Sequence, residues 1–177
     1  MRTYARSSGF LTALCVSMLA ANMWAQGVEA AEGNKACELL TASEIESVLG
    51  ATVVLNGAAP ISGGKADICI GQAPTVTVML RLVTGLDPGR DRSGSKEKAG
   101  MDMIKKMGGH VEVKTFGPIV CSTVEPPPGK EQMGYNTTCT VSKDTALAGI
   151  EVTVKNQKDV VPIEKVRPLA EKMSGRF

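Results

Sequence analysis

Aromatic side chains are almost missing from this chain: its 177 residues include one Trp, two Tyr and three Phe. Three of these six, Tyr4, Phe10 and Trp24, fall in the first 30 residues, which leaves Phe116, Tyr135 and Phe177 for the remainder. Stacking platforms for bases or sugars cannot be built from so few rings, and the core must be aliphatic with methionine as filler. Histidine is scarcer still. His110 is the single one, so any histidine general base must be this residue. A charge excess is lacking too: setting aside Arg2, Arg6 and Glu29 leaves 18 basic and 17 acidic residues with no basic stripe. Nucleic acid and anionic membrane are therefore not expected partners. No second long apolar run follows the first 30 residues, so no membrane span is expected after them.

The usual chemical motifs are absent as well. No cysteines stand two to four apart, which excludes the spacing of a zinc site and of a Cys-x-x-Cys exchange site. No Gly-x-Ser-x-Gly elbow accompanies His110. Ser93 and Lys96, and again Ser95 and Lys98, match Ser-x-x-Lys, but the companion Ser-Asp-Asn and Lys-Thr-Gly elements are missing, so the match is read as a Ser/Lys-rich linker. Carboxylate pairs suited to a glycosidase cannot be assigned from sequence, and sugar platforms are lacking. Asn136-Thr137-Thr138 is a glycosylation sequon with meaning only in a eukaryotic source, and the leader and composition look bacterial. No cofactor is expected.

The first 30 residues read as a secretory signal: Arg2 and Arg6, an apolar run from Phe10 to about Met23, and small residues Val28 and Ala30 before a cut at Ala31, with a cut after Ala25 as the alternative. Cys15 lies inside the apolar run and does not fit a lipidation site. The arginines are unpaired, so export in the unfolded state to an oxidising compartment is expected, periplasmic or secreted. What remains, 31–177, suits a single domain of about 150 residues.

Within it stand four cysteines, Cys37, Cys69, Cys121 and Cys139. They are read as two disulfides, and three pairings are open. Thr41 and Glu44 form a capping box, Leu40 and Ile45 a staple, and Gly50 a left-handed stop, which predicts a helix over 42–49. Strands are predicted at 52–55, 66–71, 75–83, 110–116, 119–124, 135–141 and 148–155. A turn-rich stretch runs from Asn56 to Lys65 and a linker from Thr84 to Ser95. A second helix is predicted over 96–107 with Met103, Ile104 and Met107 inward, and a closing helix over 162–174 that Pro168 should kink or restart. The fold class is α+β, an antiparallel sheet with packed helices, in two helix-then-strands half-repeats, about 37–83 and 96–155. That pseudo-repeat favours local pairing, Cys37 with Cys69 and Cys121 with Cys139.

The segment Cys37-Glu-Leu-Leu-Thr41-Ala-Ser-Glu44-Ile-Glu-Ser-Val-Leu-Gly50, with Cys69 later in a strand, resembles the opening of uncharacterised bacterial envelope and lipoprotein domains. The resemblance implies a secreted α+β domain without assigned activity. This chain departs from the lipoprotein members in having no cysteine at the leader's end.

Three functions compete. The first is a non-catalytic binding or interaction module of the bacterial envelope, meeting an envelope or extracellular protein through the stiff loop after Glu125, with Pro126, Pro127, Pro128, Met133 and Tyr135 as candidate contacts. The second is a small hydrolase with an unrecognised site. The third is a copper(I)-binding protein, in which Met103, Met107 and His110 offer the soft thioether and imidazole ligands that ion prefers.

Overall fold

The computed structural model describes residues 33–61, 66–86 and 95–177. The leader, most of the 84–95 linker, and Ser93 and Gly94 of the Ser-x-x-Lys match lie outside the described residues. The fold is α+β: among the described residues, a seven-stranded antiparallel sheet with four helices. In chain order the elements are α1 (Lys35–Glu38), α2 (Ala42–Leu49), β1 (Val54–Ile61), β2 (Ala66–Gln72), β3 (Val76–Val83), α3 (Ser95–Lys106), β4 (His110–Phe116), β5 (Ile119–Glu125), β6 (Tyr135–Lys143), β7 (Ala146–Val154) and α4 (Ile163–Ser174). The sheet order is β1-β2-β3-β7-β6-β5-β4. Two consecutive meanders thus meet at β3 and β7, which pair from Val76–Val154 to Val83–Leu147. Each begins with a helix, and the second carries one strand more than the first.

Strict alternation gives the sheet two unlike faces. On one, Val78 and Leu80 of β3, Ile150 and Val152 of β7, and Val141 of β6 are at most 1 % exposed. α4 lies over β5, β6 and β7 and contributes Ile163, Val166, Leu169, Ala170 and Met173, all buried. α1 lies over β1, β2 and β3 with Ala36, and Leu39 and Leu40 just beyond it are buried too. The opposite face, through Thr77, Met79 and Arg81 of β3, is half-buried to exposed.

The capping box is present: the Thr41 hydroxyl accepts from the Glu44 amide at 3.2 Å, and the Glu44 carboxylate accepts from the Thr41 amide at 2.9 Å. Gly50 ends α2 at φ 67°, where a Cβ would be strained. Glu44 does more than cap. Arg176 donates to both its oxygens at 2.8 Å and to the Leu39 carbonyl at 2.8 Å, and Lys172 lies 3.3 Å away. The chain's end is thereby tied to the start of α2. The Arg176 guanidinium, then the Thr41 N–H, hold the Glu44 pKa down at about 2 from an ordinary 4.5.

A carboxylate depressed in the folded state stabilises above its unfolded pKa and loses that contribution as pH falls toward the folded one. The Glu44 contribution is therefore expected to be complete above pH 4.5 and lost toward about 2. With solvent screening at the surface it amounts to about 1 kcal/mol. Glu44→Gln keeps a carbonyl for the cap, so urea titrations of wild type and variant should differ at neutral pH and converge in acid. A gap that persists unchanged in acid would place the effect elsewhere.

Three expectations are corrected. Pro168 does not restart the closing helix, which runs unbroken from Ile163 to Ser174 with Pro168 inside it. Pro168 and Glu164, whose carbonyl loses its partner, are both exposed, so water can satisfy that group. β1 extends to Ile61, through residues read as turn-rich, because β2 pairs with it despite a register shift between Ala58 and Ile61. α1 was not expected at all. Its cap, Asn34, accepts from the Ala36 amide at 3.1 Å and donates to the carbonyls of Ile68 at 2.8 Å and Ala58 at 3.3 Å. Gly57 makes room for it, since a Cβ there would meet Asn34 Nδ2 at 2.9 Å.

Candidate functional site

The four cysteines form two disulfides, Cys37–Cys69 and Cys121–Cys139. The first joins α1 to β2, with Cα atoms 5.0 Å apart. The second joins directly opposed residues of β5 and β6, with Cα atoms 4.1 Å apart. Cys69, Cys121 and Cys139 are fully buried, so these sulfurs belong to the core and not to a reactive surface. Among the described residues no helix is long and apolar enough to cross a membrane.

The loop after β5 is stiff and only partly exposed. Pro127 is buried, Pro126 half-buried and Pro128 exposed. Gly129 turns at φ 79° and its amide donates to the Glu131 carboxylate at 2.8 Å, which holds the Glu131 pKa below the usual carboxylate range. One turn of 3-10 helix, Glu131–Met133, follows and leaves Met133 54 % exposed. Gly134 then lies so close to β7 that a Cβ would meet Thr153 Cγ2 at 2.9 Å. Tyr135 opens β6 with its ring on the covered face at 9 % exposure, packed into the core. Of the five candidate contacts, Pro128 and Met133 are surface residues.

Met133 borders a groove of about 400 Å³ at one end of the open sheet face. The turn from Gln72 to Thr75 between β2 and β3 lines it too, together with Val76 and Thr77 of β3 and Thr153 and Val154 of β7. Gln72, Thr77 and Thr153 belong to one row across the sheet, since Gln72 opposes Thr77, Thr77 opposes Thr153 and Thr153 opposes Asn136. The row is neutral and polar, and the buried Oδ1 of Asn136 has no hydrogen-bond partner among the described residues. Lys155 gives the groove a single cation. A second cleft of about 230 Å³ shares Thr75, Val76 and Val154 with the groove and reaches Leu49, the last residue of α2, and Val161 ahead of α4. Sequence reasoning missed Gln72, Thr77 and Thr153 as site residues. The alternation of Thr75, Thr77, Met79 and Arg81 marks a wetter face, but only the β3–β7 register sets Thr153 beside Thr77.

The methionine and histidine cluster is arranged differently from expectation. Met103 and Met107 are 61 % and 45 % exposed, and among the described side chains of α3 Met101 and Ile104 are half-buried. The helix is turned because Ile104 folds against the closing turn: its Cγ2 lies 2.6 Å from where a Gly109 Cβ would be. His110 is exposed on another element, the first residue of β4, opposite Glu125. Among the described residues no three His, Cys, Asp or Glu side chains cluster closely enough to hold a metal.

No protein-family model, no curated protein and no solved structure matches this chain.

Proposed function

We propose that this chain is an exported, disulfide-clamped interaction module of the bacterial envelope, which binds an extended segment of a partner protein in the groove beneath Met133 and performs no catalysis. The observation that carries this reading is the position of Met133. A half-exposed, adaptable apolar side chain stands on a loop fixed by three prolines and two tight glycines, beside a row of carboxamides and hydroxyls. Neutral donors and acceptors of that kind suit backbone amides, and a flexible thioether suits varied side chains. The two disulfides and the lack of a membrane-crossing helix among the described residues are compatible with an exported domain.

A photo-cross-linking residue placed at position 133 in producing cells is expected to yield a discrete adduct. The same residue at Lys165, exposed on α4, should yield none. Equal adducts at both positions, or none at 133, would contradict the assignment of the groove.

A further inference from the structure

We propose that β4 is a self-complementary edge through which two copies of this chain join their sheets around a two-fold axis. β4 is the last strand of the sheet and, among the described residues, pairs on one side only, with β5. The orientation of its free backbone groups follows from two independent features. The turn between β4 and β5 has two residues, Gly117 and Pro118, so Phe116 and Ile119 are the hydrogen-bonded pair that closes the hairpin. Alternation then directs the amides and carbonyls of Lys114 and Glu112 toward β5.

The second feature lies on the other side of β5. Cys121 and Cys139 stand 4.1 Å apart at Cα, the spacing of a pair that exchanges no hydrogen bonds. The Cys121 amide and carbonyl therefore face β4, where Lys114 is the partner. Both routes leave the N–H and C=O groups of Val111, Val113 and Thr115 facing away from the sheet.

Val113 is 48 % exposed, and Glu112 and Lys114 have side chains 47 % and 39 % exposed. An antiparallel copy of β4 centred on Val113 sets Val113 against its own counterpart in a hydrogen-bonded pair. In that register Glu112 faces Lys114 of the second copy, and by symmetry Lys114 faces Glu112 of the second copy. Val111 falls opposite Thr115. Centring on Glu112 or on Lys114 would set like charges face to face and use groups already turned toward β5, whereas among the registers that use the outward-facing groups the one centred on Val113 pairs the whole stretch 111–115 and sets unlike charges face to face. Charged residues on an edge strand ordinarily discourage pairing. Here their alternation permits one partner, a second copy in isologous contact. The groove beneath Met133 lies at β3 and β7, in the middle of the sheet, and stays open.

Sedimentation velocity on the leader-free protein over a concentration series tests this directly. Wild type is expected to associate reversibly to a dimer. Glu112→Lys and Lys114→Glu should each weaken association about 10-fold or more, and the double exchange should restore it. Val113→Pro, which removes an outward-facing donor, should abolish it, with circular dichroism confirming the fold of each variant. A wild type that stays monomeric throughout the series, or a dimer indifferent to the single reversals, or one weakened by them and not restored by the exchange, would overturn the proposal.

Discussion

Replacing Cys37 and Cys69 together by alanine is expected to lower the unfolding free energy by roughly 3–4 kcal/mol, the chain-entropy value for a loop of this length. The bond spans a sequence separation of 32. Its effect reaches beyond entropy, because α1 has only four residues and cannot persist as an isolated helix. Ala36, Leu39 and Leu40 are at most 1 % exposed and follow α1 onto the sheet. The Asn34 cap, this disulfide and the Arg176 bond to the Leu39 carbonyl hold them there. The second disulfide closes a shorter separation of 18 between strands already paired on both sides of it, so its removal should cost less, about 3 kcal/mol. Urea unfolding of the two double variants supplies the comparison. If removal of Cys121–Cys139 were the more damaging, α1 would not depend on its disulfide in the way described.

Ile150→Ala should be of similar size, about 3–4 kcal/mol, within the range for a fully buried isoleucine that leaves a cavity. Ile150 is 0 % exposed in β7. It opposes Leu80 of β3 on one side and Cys139 of β6 on the other, so it sits where the two meanders join. α4 covers that strand and leaves few side chains free to close over a void. Set against a typical total of about 5–15 kcal/mol, a loss of this size would leave the variant near the edge of stability. Ile150→Val should cost about 1 kcal/mol. Thermal and urea unfolding read both, and a cost for alanine below about 1 kcal/mol would mean that the β3–β7 seam is not the centre of the core.

Much of this fold is legible in the sequence because its signals are local. The Thr41–Glu44 box with Gly50 defines α2 completely, and alternation at 75–83 and 148–155 marks the two strands that meet at the seam. What sequence could not show depends on partners distant along the chain. β1 holds its extended form through Gly57 and Pro60 because β2 hydrogen-bonds to it. α1 rests on Asn34 reaching carbonyls 24 and 34 residues away. The inward face of α3 differs from the expected Met103, Ile104 and Met107 because Ile104 borders both that arc and the one through Met101, and only its contact with Gly109 fixes the rotation. The groove is a similar case: Met133 is visible in the sequence as part of a stiff loop, whereas the Thr77–Thr153 pair exists only through strand register.

Two helix-then-strand meanders, each clamped by its own disulfide, share one sheet. Mass mapping of peptides from the non-reduced protein tests that pairing. A Cys37 peptide bonded to a Cys69 peptide and a Cys121 peptide bonded to a Cys139 peptide are expected. A Cys37 peptide bonded to Cys121 or Cys139 would contradict it.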